Sequence, residues 1–430
     1  MLFKNITILD DNFSPREGLY VGIKDDIIDY VSTEEPQQDY GESYDGTGKV
    51  LMSGFYNAHA HTPMTLMRGY GENLPLQSWL HDRIFPFEGK LDEDAIYYGM
   101  MLGIAESLRF GIVSTTDMYY FCDIMAKAIL ESGVKNNLGR GITNFTDQDI
   151  YDLPGFKETK SLYMEYHNAG NGKIKVDVSL HAEYTSNPKT VSQLAEYAHS
   201  IGANMHVHVS ETQAEHEECK KRHGGMTPVK YLNSLGLFDT KTTAAHCVWV
   251  EEEDIDILSE KGVTVASCPV SNLKLASGVC NVPLLLEKGV NVAIGTDSVA
   301  SNNSLNFIEE MKFFALANKG SQLDPTLITP KEALRAATLA GAKSQGREDC
   351  GRLEKGYKAD LIVVDISNPH MHPVHNLNNN IVYSASGSDV LLTMVDGKVL
   401  YKDGEFLTID IEKVIYGAQK ATNRIIGELK

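Results

Sequence analysis

Apolar positions along this chain fall into two textures. Between residues 54 and 345, short apolar runs alternate with longer amphipathic or capped segments. The runs lie at 55–58, 112–116, 138–143, 175–180, 204–209, 243–245, 263–267 and 290–294. The helical segments between them include 92–109, 189–200, 251–261 and 304–318. Strands alternating with helices predict βα units around a parallel sheet. Eight such units predict an α/β fold of the closed (β/α)₈ type. Thr329 and Pro330 then open one more helix, with proline in its first turn.

The flanks are different. Residues 1–50 carry short strands at 2–9, 20–23 and 27–31, separated by Gly and Asp turns. After about residue 345 the β pattern returns, with a strand at 360–365 and a hairpin at 394–400 that turns on Asp396-Gly397. The expected organisation is a barrel over 54–345 beside a small composite β-sandwich built from 1–53 and 346–430.

Composition narrows the function. At 430 residues and 42% hydrophobic, the chain can bury a large core. Lys+Arg is 39 against Asp+Glu 58, a net charge of −19. That balance argues against nucleic acid as a partner and against an anionic membrane surface. No apolar stretch is long enough to span a bilayer, and the first residues lack a signal-peptide pattern. The six cysteines form no CxxC pair and read as reduced, buried thiols. A cytoplasmic protein acting on a small molecule is expected.

A barrel carries its chemistry just past the C-terminal ends of its strands. His59 and His61 follow the first predicted strand, His181 the fourth, His206 and His208 the fifth, His246 the sixth and Asp297 the eighth. Scattered histidines would not collect at strand ends in this way. Residues two apart on a strand share a face, so His59 and His61 aim at one point. His206 and His208 share a face too, and either can ligate. The His-Val-Ser-Glu spacing favours His208, because it lets Glu211 curl back over a metal. Three imidazoles and a carboxylate suit zinc, and also iron or another divalent ion. Such a metal would bring a bound water to a pKa near ~7, Glu211 would move its proton, and His246 would stabilise the oxygen that adds. Asp297 can take a second proton to the leaving group.

The segments at 54–80, 206–212, 244–249, 267–278, 295–303 and 351–365 resemble the amidohydrolase superfamily. They read GFYNAHAHTPMTLMRGYGENLPLQSWL, HVHVSET, AAHCVW, SCPVSNLKLASG, GTDSVASNN and GRLEKGYKADLIVVD. Within it they are most similar to the branch that deaminates methylthioadenosine and S-adenosylhomocysteine, which neighbours the chlorotriazine hydrolases. The resemblance implies the barrel with its composite sandwich. It also implies one divalent metal, zinc with iron as the alternative, on His59, His61, His208 and Asp297. No lysine follows a strand in the way a bridged metal pair would require. The resemblance also implies Glu211 as proton shuttle and His246 beside the attacking oxygen. It implies Trp79, Glu88, Arg140 and His181 as substrate contacts, and a homo-oligomer is expected.

Trp79 can cover a flat ring or simply pack its loop, and Glu88 can accept from two ribose hydroxyls. One departure stands out. The branch commonly has a second arginine about a dozen residues beyond Arg140, and here only Lys157 and Lys160 lie nearby. Lysine is a poorer clamp for a carboxylate, so a substrate bearing an amino acid fits less well than methylthioadenosine, 5′-deoxyadenosine or adenosine. The expected reaction is hydrolytic deamination of an adenine nucleoside. Another aminated or chlorinated heterocycle is the alternative, and a non-catalytic metal scaffold is the remote one. Cys247 and Cys268 are expected to be buried rather than ligating, and Met64 and Met67 to line the pocket mouth or pack the loop. His370, His372 and His375 are expected in a surface loop, and His216 and His223 are expected to be solvated.

Overall fold

The computed structural model describes residues 1–430, the side chain of Leu76 excepted. Two sheets organise the chain. The larger feature is the barrel, whose strands are Phe55–Ala60, Ile112–Tyr119, Lys135–Ile142, Val178–Ala182, Met205–Val209, Thr242–His246, Thr264–Ser267 and Asn291–Ile294. They are parallel throughout, with Ile174–Val176 adding a short strand beside the third. Every residue of Phe55–Ala60 is buried. That is the burial expected of a parallel strand covered by helices outside and side chains inside.

The barrel closes at the site itself. Asp297 forms a parallel bridge with Ala60, and its N–H donates to the His59 carbonyl at 3.0 Å. Gly295 makes this approach possible. A Cβ there would lie 2.9 Å from the His59 Cβ and 3.0 Å from the Cys268 Sγ, so the last strand can reach the first only without a side chain.

The two chain ends share the second sheet. Lys49–Ser53 pairs parallel with Leu2–Leu9 on one side and antiparallel with Leu361–Asp365 on the other. Val390–Val395 and Lys398–Lys402 extend it as the expected hairpin. Its turn residues Asp396 and Gly397 both have positive φ (47° and 73°), the conformation that suits an Asp-Gly hairpin turn. The last helix, Ile411–Glu428, leaves this sheet and lays Val414, Ala418, Ala421 and Ile425 into the same apolar cluster as Ile96 and Met100 of the barrel helix Glu93–Arg109. Among the described residues, no helix is long and apolar enough to cross a membrane.

A buried charge cluster joins the two sheets. Lys135, at the foot of the third barrel strand, lies 2.5 Å from Asp360 Oδ2 and 2.7 Å from Asp396 Oδ1. The Tyr56 hydroxyl donates to the same Asp360 oxygen at 2.5 Å.

Candidate active site

At the C-terminal mouth of the barrel, four side chains present acceptor atoms to one point. His61 Nδ1 lies 2.5 Å from the Met118 carbonyl, and His208 Nδ1 lies 2.6 Å from the His181 carbonyl. A carbonyl can only accept, so both Nδ1 atoms carry a proton, and in the neutral ring each Nε2 keeps its lone pair. His59 Nδ1 meets His206 Nε2 at 2.9 Å, and His59 Nε2 is buried with no hydrogen-bond partner. Asp297 turns Oδ2 toward the hydroxyls of Ser271 (2.5 Å) and Ser301 (2.9 Å). Its Oδ1 stays 3.6 Å from His59 Nε2 and 3.4 Å from His61 Nε2.

This donor set fits a divalent cation. His59, His61 and His208 offer ligand atoms within 4.8 Å of one another, as do His59, His246 and Asp297. Burial pushes the imidazole of His59 down to about 3 against the pull of Asp297, and lowers His208 well below its ordinary value. Both rings are therefore neutral near pH 7, the state that ligates. Asp297 is held well below the carboxylate range. Burial opposes its charge, but His59, His246 and His61 outweigh it. The hydrogen bonds made by the Nδ1 atoms of His59, His61 and His208 are of the kind that orients a metal-binding imidazole.

The structure separates the two histidines of the fifth strand. His208 joins the convergence, whereas His206 spends its Nε2 on His59.

Glu211 and His246 stand beside this cluster. Glu211 Oε2 is 3.8 Å from His246 Nε2, and His246 Nδ1 donates to Asn272 Oδ1 at 2.9 Å. Burial and the nearby Asp297 raise the Glu211 carboxyl against the opposing pull of His246 and His61. Burial acts against charge on His246, yet Glu211 and Asp297 raise its pKa overall. His246 (φ 72°) and Asp297 (φ 58°) both occupy left-handed backbone, which is costly for such residues and is found where a site holds side chains at a set angle.

A cavity of about 830 Å³, open mouth included, lies over these groups. Its walls include Trp79, Glu88, Arg140 and His181, together with Tyr119 and Tyr184. Trp79 is both buried and cavity-lining, so it packs its loop and offers a flat wall at once. Burial pushes the Glu88 carboxyl up to about 7, with Tyr119 and Arg140 acting the other way. His181 is held by Thr185 at 3.1 Å, and burial lowers it to about 4. Arg140 is already engaged. Its Nε donates to Glu158 at 2.9 Å, its Nη1 donates to the Gly141 carbonyl at 2.5 Å, and it stacks 4.5 Å over Tyr120. Lys157 and Lys160 are exposed and line neither this cavity nor the adjoining one.

This barrel, metal-type cluster and pocket coincide with a family match over residues 50–400, to the amidohydrolase family. The chain belongs to the amidohydrolase family. A 5-methylthioadenosine/S-adenosylhomocysteine deaminase of Dictyoglomus thermophilum is 42% identical over 426 residues, 99% of either chain. A 5′-deoxyadenosine deaminase of Methanosphaera stadtmanae is 39% identical over 425 residues, again 99% of either chain. A solved adenosine deaminase of Xanthomonas campestris with bound zinc is 30% identical, with a TM-score of 0.92 over 99% of this chain and 98% of that one.

Some sequence expectations need correction in this amidohydrolase. His216 and His223 are not solvated. His216 is buried with its Nε2 3.3 Å from Glu251, and His223 Nε2 is 2.7 Å from the buried Glu183, which also takes Arg222 at 2.6 Å. Their local sequence is charged, but the partner Glu183 lies about 40 residues back, beyond the reach of any local pattern. Met67 packs in the core, and Met64 lines the cavity. Cys247 and Cys268 are buried and stand in neither histidine cluster at the mouth. Residues 370, 372 and 375 lie in an exposed loop, where His370 meets Asp389 at 2.8 Å. Sequence reasoning missed Asn272, Ser271 and Ser301 as supports of His246 and Asp297. All three lie within the 267–278 and 295–303 motifs, where their nearness to the predicted rim was the available signal.

Proposed function

We propose that this chain is a metal-dependent aminohydrolase that replaces the ring amine of an adenine nucleoside with oxygen from water and releases ammonia. The observation that carries the reading is the convergence of His59, His61 and His208 Nε2 with Asp297 Oδ1, with Glu211 and His246 at its edge and an open cavity above it lined by aromatic and polar side chains. The relatives named for deamination of adenine nucleosides support the substrate class.

His59, His61, His208 and Asp297 would hold one zinc-type ion, which would polarise a water and make it nucleophilic at neutral pH. No lysine lines the cavity among the described residues, which favours one ion over a lysine-bridged pair. Glu211, its proton affinity raised by burial, takes the proton from the water and returns it to the ring nitrogen beside the reacting carbon. His246 Nε2 faces the oxygen that adds and stabilises the charge developing on it. Asp297 takes the remaining proton and passes it to the departing amine, so that water and substrate become the oxo-purine nucleoside and ammonia. Trp79 offers a flat surface to the base, and Glu88 accepts from the ribose hydroxyls.

A panel of adenosine, methylthioadenosine, 5′-deoxyadenosine, guanine and an aminotriazine, assayed for ammonia, tests the substrate class. Turnover confined to the adenine nucleosides supports it. Turnover of guanine or the triazine alone contradicts it.

A further inference from the structure

The residue that aims Glu211 is another carboxylate. The chain leaves the fifth barrel strand at Val209 and turns sharply at Ser210, whose φ is +49°. Two residues later Thr212 caps the helix Gln213–Arg222 and accepts from the Glu215 N–H at 3.2 Å. A glutamate at the third helical position ordinarily reaches back to the N–H of the cap residue. Glu215 reaches further. Its Oε1 accepts from the Ser210 N–H at 2.9 Å and its Oε2 from the Glu211 N–H at 2.8 Å.

Helix capping alone does not call for this arrangement. The strained turn is held by one buried carboxylate with both oxygens occupied. The Ser210 carbonyl on the other side of the turn accepts from the N–H groups of Val248 and Trp249, at 3.1 and 3.0 Å. Those residues lie two and three positions after His246, so the backbone of Glu211 is tied on one flank to Glu215 and on the other to the loop of its partner histidine.

We propose that Glu215 is a positioning residue for proton transfer: its two carboxylate oxygens fix the backbone of Glu211 so that the Glu211 carboxylate stays beside His246 and over the reacting centre. The proposal rests on the role given to Glu211 above. A second consequence follows from charge. Burial and the neighbouring Glu211 push the Glu215 carboxyl up to about 7. His246 opposes this effect, and Tyr184, Cys219 and Cys247 are the other ionisable groups near Glu215.

Glu215→Gln is nearly isosteric, yet it has one acceptor oxygen, and its amide N–H₂ would face an N–H. The expected result is a kcat loss of about tenfold to a hundredfold with KM within about threefold and metal content unchanged. A crystal structure of the variant should show the Glu211–His246 separation widened from 3.8 Å. Glu215→Asp retains both acceptor oxygens and should recover part of the lost kcat.

Two results overturn the proposal: kcat for Glu215→Gln within twofold of wild type, or an undisturbed Glu211 in the crystal. If wild type itself releases no ammonia from any adenine nucleoside, the proposed reaction fails. The crystal comparison still decides whether Glu215 holds Glu211.

Discussion

His61 and His208 point their Nε2 atoms at each other across 3.3 Å, and neither carries a proton to share. Each ring has committed its Nδ1–H to a backbone carbonyl, so two lone pairs face one another beside the Asp297 carboxylate. A cation between them turns this repulsion into ligation.

Metal removal should therefore destabilise the fold. Chelated protein should melt at a lower temperature and recover on addition of zinc, by about 2.7 kcal/mol at a metal concentration a hundred times Kd. His208→Ala should lose both the metal and the response. His206→Asn should weaken metal binding less, because His206 acts only through His59. Differential scanning fluorimetry with metal analysis checks all three.

Glu211→Gln should keep its metal and lose turnover by about 10²–10⁴-fold. The change removes a proton carrier without touching a ligand atom. Turnover close to wild type would remove Glu211 from the mechanism.

Glu88 should give the pocket a pH dependence of its own. With its carboxyl pushed up to about 7, it is protonated in weak acid and ionised above neutrality. The ionised form is the stronger acceptor for ribose hydroxyls. KM for ribosyl substrates should therefore fall as pH rises from about 6 to 8. That trend should vanish in Glu88→Gln and for a 2′,3′-dideoxy substrate. Steady-state kinetics across this range decides it.

Arg140 should serve poorly as a clamp for a substrate carboxylate, because its fork is shared between Glu158 and the Gly141 carbonyl. Methylthioadenosine should exceed S-adenosylhomocysteine in kcat/KM by about tenfold, the scale of one charged hydrogen bond not gained. Glu158→Gln frees the guanidinium and should narrow the gap. A preference for S-adenosylhomocysteine in wild type would contradict this account of the pocket.

Lys135 should matter to stability rather than to chemistry. Lys135→Met leaves Asp360 buried without its cation, while Asp396 keeps Lys173 at 2.6 Å, and should cost about 3–5 kcal/mol in chemical denaturation. Activity of the remaining folded protein should be unchanged.

The barrel was legible because parallel strands buried on both faces appear as short apolar runs, and because a barrel places its functional groups after those runs. His59, His61, His246 and Asp297 could be collected on that rule, with His206 and His208 together at the fifth strand. What local pattern could not reveal depends on partners far along the chain. The choice between His206 and His208 turns on which of them meets His59, 147 residues away. Arg140 reads as a free cation until the helix carrying Glu158 folds against it. His216 and His223 sit in charged sequence but answer to Glu251 and Glu183. Glu215 resembles an ordinary helix-capping glutamate, and only the sharp turn at Ser210 brings two upstream N–H groups to it.

The most direct test of the central claim is ammonia release from methylthioadenosine by purified protein. It should be measured as isolated, after chelation and after zinc is restored, with metal content determined on each sample. The account predicts turnover that disappears on chelation, returns with about one metal per chain and is lost in Glu211→Gln. Turnover that survives complete metal removal, or no ammonia from any adenine nucleoside by fully metallated protein, would contradict it.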